Sequence, residues 1–231
     1  MSDAWRQRLE AEPPAEAVDP GGRVLVLSAH PDDEVLAIGS WLSRQRDREL
    51  VFVTATDGEA SHPGSTAITP DELRLRRPRE LVHALSLLGV EDPQVERLQL
   101  PDGGLHDERE QLRRRLRPLV ADADLVIAPF EADGHPDHDA MGEVALELTA
   151  GATPLWRYPV WTWAWTVPDD QWWWGAVRRL DSTTSDRARK RRALAAFVTQ
   201  VQPLSPGPDD QAVVDGALLQ HAMFAPEVVI A

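Results

Sequence analysis

Two short runs of the chain concentrate the residue types that bind cations and move protons. Ala29-His30-Pro31-Asp32-Asp33-Glu34 sets one imidazole beside three consecutive carboxylates. Adjacent like charges repel unless a cation, or the positive end of a helix, offsets them. Gly134-His135-Pro136-Asp137-His138 places two imidazoles three positions apart around a carboxylate, a pattern that suits metal ligands supplied with an orienting acid. There is no cysteine, so disulfides and thiolate sites are excluded and any metal must be held by His and carboxylates. The competing reading makes the acids mere helix caps and the histidines structural. A His-Pro-Asp core shared by both runs argues for a joint site. Spacing alone does not say which His of the second run would be a ligand.

If the runs act together, the fold must carry them to one place. Val24 to Leu27 is a short continuous apolar run, which suits a strand buried on both faces. Leu50–Ala55, Val95–Leu100, Leu125–Ala128 and Leu155–Val160 read as four further strands. Val35, Ile38 and Leu42 recur at helical spacing after the first. Thr69-Pro70-Asp71-Glu72 is a capping box with proline at the first helical position, and that helix should run to Leu88 and stop at Gly89. Pro78 predicts a kink or restart inside it. An Arg-rich helix over Glu108–Leu116 should end near Pro118, and another should follow the second His run through Leu148. Ser185–Gln200 and Asp210–His221 predict later helices. The alternation predicts an α/β fold: a Rossmann-like, mainly parallel sheet with helices on both faces. Ligands of such sheets bind beyond the carboxyl ends of the strands, and both His runs directly follow one.

The 231 residues suit one domain, with 1–20 as an irregular extension and 156–175 as a Trp-rich segment. A net charge of -14 repels phosphate backbones and anionic lipid, so nucleic acid and membrane are excluded in favour of a small molecule. Met1–Pro20 is polar, without the apolar stretch of a secretory signal, and no run reaches the roughly 18 residues of a membrane span. Cytoplasmic residence is the expectation.

The two runs together resemble the PIG-L/LmbE-like zinc deacetylases, which include N-acetylglucosaminyl-phosphatidylinositol de-N-acetylase and the deacetylases of mycothiol and bacillithiol biosynthesis. Thr56-Asp57-Gly58-Glu59, Arg77-Pro78-Arg79-Glu80-Leu81, Leu100-Pro101-Asp102-Gly103-Gly104-Leu105 and the stretch Lys190–Gln200 match further family motifs in the same order. The resemblance implies that His30, Asp33 and His138 bind zinc, with iron(II) suiting the same ligands. It makes Asp32 the general base, His135 the imidazolium that stabilises the oxyanion, and Asp137 the partner that orients His135. It gives Arg77 and Asp102 to the sugar substrate. The activity implied is removal of an acyl group from an N-acylated amino sugar or glycosylated metabolite. Two imidazoles and a carboxylate leave coordination positions open, as a catalytic zinc requires. Some relatives use an aromatic hydroxyl near the second run; here Asp133-Gly134 stands there and the single tyrosine is Tyr158.

Seven of the nine tryptophans lie between Trp156 and Trp174, and the alternation of Trp161, Trp163 and Trp165 suits one face of a strand. They would form a satellite core, an interface between copies of the chain in a homo-oligomer, or a stacking wall for the substrate. Two rival functions follow: a catalytically silent glycan or partner binder built on these indoles, and a metal-dependent phosphoesterase. The arginine runs read as solvated helix faces, and His62, His83, His106 and His221 have no motif around them.

Overall fold

The apolar runs become the centre of a single sheet. The computed structural model describes residues 3–15, 22–45, 48–168 and 171–231. Among them are the strands β1 (Arg23–Ser28), β2 (Glu49–Thr54), β3 (Gln94–Arg97), β4 (Leu125–Pro129), β5 (Leu155–Tyr158), β6 (Val177–Leu180) and β7 (Glu227–Ile230), in the order β3-β2-β1-β4-β5-β7-β6. The first five pair in parallel, whereas β7 runs antiparallel to both β5 and β6. Sequence pattern anticipated the parallel part and not the antiparallel edge.

The helices are α1 (Asp3–Ala11), α2 (Asp33–Leu42), α3 (Pro70–Leu88), α4 (Arg109–Ala121), α5 (Pro136–Thr149), α6 (Thr162–Trp165), α7 (Thr184–Leu194), α8 (Val198–Val201) and α9 (Gly216–Phe224). β1 is buried from both sides: Val24 and Val26 join the core under α2, α3 and α7, while Leu25 and Leu27 join the one under α4 and α5. Successive side chains of a strand point to opposite faces, which is why the run has no polar alternation. α5 lies close on the end of β4, since a Cβ at Gly142 would come within 2.6 Å of the Pro129 carbonyl.

The order of strands reverses at β1. The chain moves outward through β2 and β3, then returns so that β4 lies on the other side of β1. The crevice at such a reversal is where open parallel sheets bind ligands. His30 follows β1 and His135 follows β4, so both flank it.

Several expectations are corrected. The N-terminal stretch is helical over Asp3–Ala11, because Trp5 and Leu9, one turn apart, dock into a satellite core with Phe130, Trp163 and Trp174; residues 16–21 lie outside the described residues. α3 has its capping box and its left-handed Gly89 (φ 94°), yet stays one helix through Pro78. The Arg74 carbonyl that Pro78 cannot serve accepts instead from Arg97 Nη2 at 3.3 Å. α4 likewise runs past Pro118 to Ala121, with Arg114, four residues before, exposed to water. The long late helix is two, α7 and α8, parted where Phe197 turns into the core, and the last helix starts only at Gly216, capped by Asp215. Trp161 to Trp165 is a helical turn rather than a strand. Among the described residues no helix is long and apolar enough to cross a membrane.

α2 is broken at Ile38 (φ -126°, ψ 22°), which frees backbone donors in a buried place. Glu227 of β7 accepts from Ser40 N at 2.7 Å and Trp41 N at 2.8 Å, acting as a cap for the second half of the helix. Buried Lys190 balances that carboxylate at 2.8 Å, with its stem against Gly39, where a Cβ would lie 3.0 Å from Lys190 Cγ. Glu227→Ala strands a buried ammonium and two amides, so it should lower unfolding free energy by about 3–5 kcal/mol. Urea denaturation checks this, and a loss below about 1 kcal/mol would show that the pair is not what holds α2.

Candidate active site

The turn from β1 into α2 is tied by its own side chain: His30 N donates to Asp33 Oδ2 at 2.8 Å. The turn from β4 into α5 is capped by His135, whose Nδ1 accepts from Asp137 N at 3.2 Å. These two turns bring three donors face to face. His138 Nε2 lies 3.3 Å from His30 Nδ1 and 3.2 Å from Asp33 Oδ1, and His30 Nδ1 lies 3.7 Å from Asp33 Oδ2. All three side chains are buried. Ligands at 2.0–2.1 Å around a tetrahedral zinc stand about 3.3–3.4 Å apart; the two His138 separations match that spacing, while Asp33 meets the two rings with different oxygens. Two groups of donor atoms lie within 4.8 Å of one another here: the rings of His30, His135 and His138, and His30 with Asp102 and Asp137.

The remaining ring nitrogens are committed elsewhere. His138 Nδ1 lies 2.8 Å from Asp133 Oδ2, which leaves Nε2 free as a donor pair. Asp133 is itself fixed by Val160 N, Trp161 N, Thr162 N and Thr162 Oγ1. Sequence reasoning passed over Asp133; an acid in the loop after β4, five positions before His138, was the available signal. His30 Nε2 faces Asp102 Oδ1 at 3.0 Å and Asp137 Oδ2 at 3.3 Å.

Two expected roles change. Asp137 does not orient His135 through its carboxylate. Set in the first turn of α5, that carboxylate reaches back to Gly103 N (2.7 Å), Leu105 N (3.1 Å) and His30. His135 is also no imidazolium. Burial, then the charge of His138 and His30, pulls it down to about 4. With Nδ1 accepting an amide hydrogen, the neutral ring carries its proton on Nε2. Asp102, expected at the sugar, contacts His30 and Ala60 N (2.7 Å) while still lining the cavity.

Asp32 stands beside the donor set with its own partner. Arg77, also buried, donates to Asp32 Oδ2 at 3.0 Å and to the Gly58 carbonyl at 2.9 Å. Gly58 has φ +70°, and a Cβ there would lie 1.9 Å from Arg77 Nη1, so only glycine leaves room for the guanidinium. Its neighbour Asp57 is pinned by a two-point bond from Arg97, at 2.8 Å each. Burial raises the Asp32 carboxyl, and Arg77 opposes the rise. Asp33 goes the other way: against burial, His138 and His30 hold it well below the usual carboxylate range.

A cavity of about 400 Å³ opens onto this centre. His30, Asp32, Asp33, Arg77, Asp102 and His135 line its floor, and Asp137 and His138 touch the floor from beneath. All eight residues singled out by the sequence therefore converge. Tyr158 does not serve it, since its buried hydroxyl donates to the Leu27 carbonyl at 2.7 Å. The tryptophans divide their tasks. Trp163, Trp173 and Trp174 are buried in the satellite core, Trp161 and Trp165 line the cavity, and Trp172 is exposed.

A model of the PIG-L family, described as GlcNAc-PI de-N-acetylase, matches residues 25–149, just over half of the chain. The chain is 30% identical over 174 residues to 1D-myo-inositol 2-acetamido-2-deoxy-alpha-D-glucopyranoside deacetylase of Kineococcus radiotolerans, a match covering 59% of this chain and 48% of that protein. It thus spans about half the length of that relative. The structure of the A40926 pseudoaglycone deacetylase Dbv21 superposes with a TM-score of 0.63 at 25% identity, covering 90% of this chain and 95% of the other. GalB of Pseudomonas putida KT2440, a 4-carboxy-2-hydroxymuconate hydratase, shares the fold at 20% identity with a TM-score of 0.57, covering 78% and 80%. The fold alone therefore does not specify one reaction.

Without a cation, burial pulls His138 down but Asp33 and Asp133 outweigh it and raise it to about 9; His30 is also raised, against burial, by Asp102, Asp137 and Asp33. The folded-state values exceed the ordinary ones, so these groups stabilise the metal-free protein below about pH 6.5, and that contribution fades as pH rises through about 9. Metal must displace the protons. Zinc uptake at pH 7 should release at least one proton, and affinity should climb about tenfold per pH unit for each proton lost. Calorimetry in buffers of different ionisation enthalpy measures this; uptake without proton release would remove both histidines from the ligand set.

Proposed function

From the premise that the chain belongs to the PIG-L family of GlcNAc-PI de-N-acetylases, whose model covers just over half of it, we propose that it is a metal-dependent hydrolase of N-acylated amino sugars. The observation that carries this reading is a buried cluster in which His138 meets both His30 and Asp33 at 3.2–3.3 Å beside an open cavity, with Asp32 next to it and paired instead with Arg77. His30, Asp33 and His138 would hold zinc, or iron(II), which suits the same ligands. The cation when bound supplies Lewis acidity, which polarises an amide carbonyl and acidifies water toward a pKa of about 7.

The chain's own groups do the rest. Asp32 accepts one proton of the attacking water and delivers it to the nitrogen as the C–N bond breaks, leaving an amine and a carboxylic acid, which gives up its remaining proton to solvent. A carboxyl raised by burial yet tethered to Arg77 suits both halves of that transfer. His135 donates its Nε2 hydrogen to the carbonyl oxygen as charge builds there, and such a donor is worth about 3 kcal/mol in the transition state. Asp133, Asp102 and Asp137 act one step back by fixing the tautomers of His138 and His30. With no tyrosine at hand, Asp32 is the acid for the leaving amine. A phosphoesterase reading is disfavoured because the guanidinium on the floor, Arg77, is already paired with Asp32 among several acids.

Asp32→Asn should retain one equivalent of zinc and lose kcat by about 100-fold or more on N-acetyl sugars. His138→Ala should lose metal and activity together. Acetate release and metal content measured on the same preparations decide the matter, and a fully active Asp32→Asn protein would remove Asp32 as the base.

A further inference from the structure

Trp161 and Trp165 have no part in the chemistry above. They stand one turn apart on α6 with ring centroids 4.8 Å apart and planes at 15°. His135 continues the array, at 11° to Trp165 and 25° to Trp161. The Trp165 ring is seated on the backbone that carries His135: a Cβ at Gly134 would meet it at 3.2 Å. Its position is therefore built, yet Trp165 is 54% exposed while Trp163, Trp173 and Trp174 are buried. An indole held in place and half exposed where it lines the cavity offers area that a ligand can cover. Ser61 and Gln200, joined by a 3.3 Å hydrogen bond, also line the cavity and offer polar groups. Trp161, Trp165 and Gln200 all lie beyond residue 149, outside the segment that the family model matches.

Resting on the deacetylase reading, we propose that Trp161 and Trp165 are a stacking platform for a ring in the amine portion of the substrate. The cavity then prefers N-acyl amino sugars that carry a second flat ring over the lone monosaccharide. Because the two indoles stack on each other, the pair is a stiff block whose outer aromatic face a flat ring can cover. Ser61 and Gln200 add polar contacts that sugar hydroxyls can use and an alkyl chain cannot.

The zinc-loaded protein is offered N-acetylglucosamine, its para-nitrophenyl glycoside and N-octanoylglucosamine, and release of the acid is followed. kcat/KM should be highest for the aryl glycoside, by about tenfold over N-acetylglucosamine, the scale of one aromatic contact. Trp165→Ala should erase most of that preference and Trp165→Phe should restore it. Trp172→Ala, exposed and outside the cavity lining, should leave it intact. A preference for the octanoyl compound that collapses in Trp165→Ala would overturn the platform in favour of an acyl-chain groove. A preference for the aryl glycoside indifferent to Trp165→Ala, or none at all, would overturn it as well. If no substrate is hydrolysed, the deacetylase reading fails, and the platform is judged by calorimetry with para-nitrophenyl glucoside, which has no amide. Weaker binding to Trp165→Ala than to the unmodified protein supports it, and equal or absent binding overturns it.

Discussion

Two ring nitrogens, His30 Nδ1 and His138 Nε2, face each other at 3.3 Å inside the protein with a carboxylate against both. Without a cation, the acids around both rings raise their pKa values against burial, and two charged rings so close repel each other in a place of low dielectric. A divalent cation would relieve that repulsion by taking the place of the protons. Much of the surrounding structure reads as the apparatus that keeps these rings from turning away.

That apparatus is carboxylate and backbone. Asp133 takes the far nitrogen of His138, and Asp102 with Asp137 takes that of His30. Each acid is in turn held by amides of another loop: 160–162 for Asp133, 103 and 105 for Asp137, and Ala60 for Asp102. Loops that look unrelated along the chain therefore share one function, orienting an imidazole. The reversal of strand order between β1 and β4 makes this economical, since it places the ends of two central strands side by side with a crevice above them.

The parallel core and the convergence of both His runs were legible in the sequence because they depend on local signals. Continuous apolar runs mark doubly buried strands, and capping residues mark helix starts, as at Thr69. What was hidden depends on partners distant in sequence. Pro78 is accommodated where Arg97, on β3, serves the carbonyl it orphans. The Trp161–Trp165 alternation fits period two as well as one helical turn, and only docking of Trp163 beside α1 decides between them. The charge state of His135 reverses for the same kind of reason: burial, then the charge of His138 and of His30, far away in the chain, outweighs the neighbouring Asp137.

The break in α2 at Ile38 ties the start of the site to β7. Glu227 closes the broken turn of the helix whose first residue is Asp33, and β7 is reached only after both histidine runs have been made. During synthesis on the ribosome, both histidine runs are therefore made before the residue that caps the second half of α2, so Asp33 stands on an unclamped helix until the seventh strand emerges.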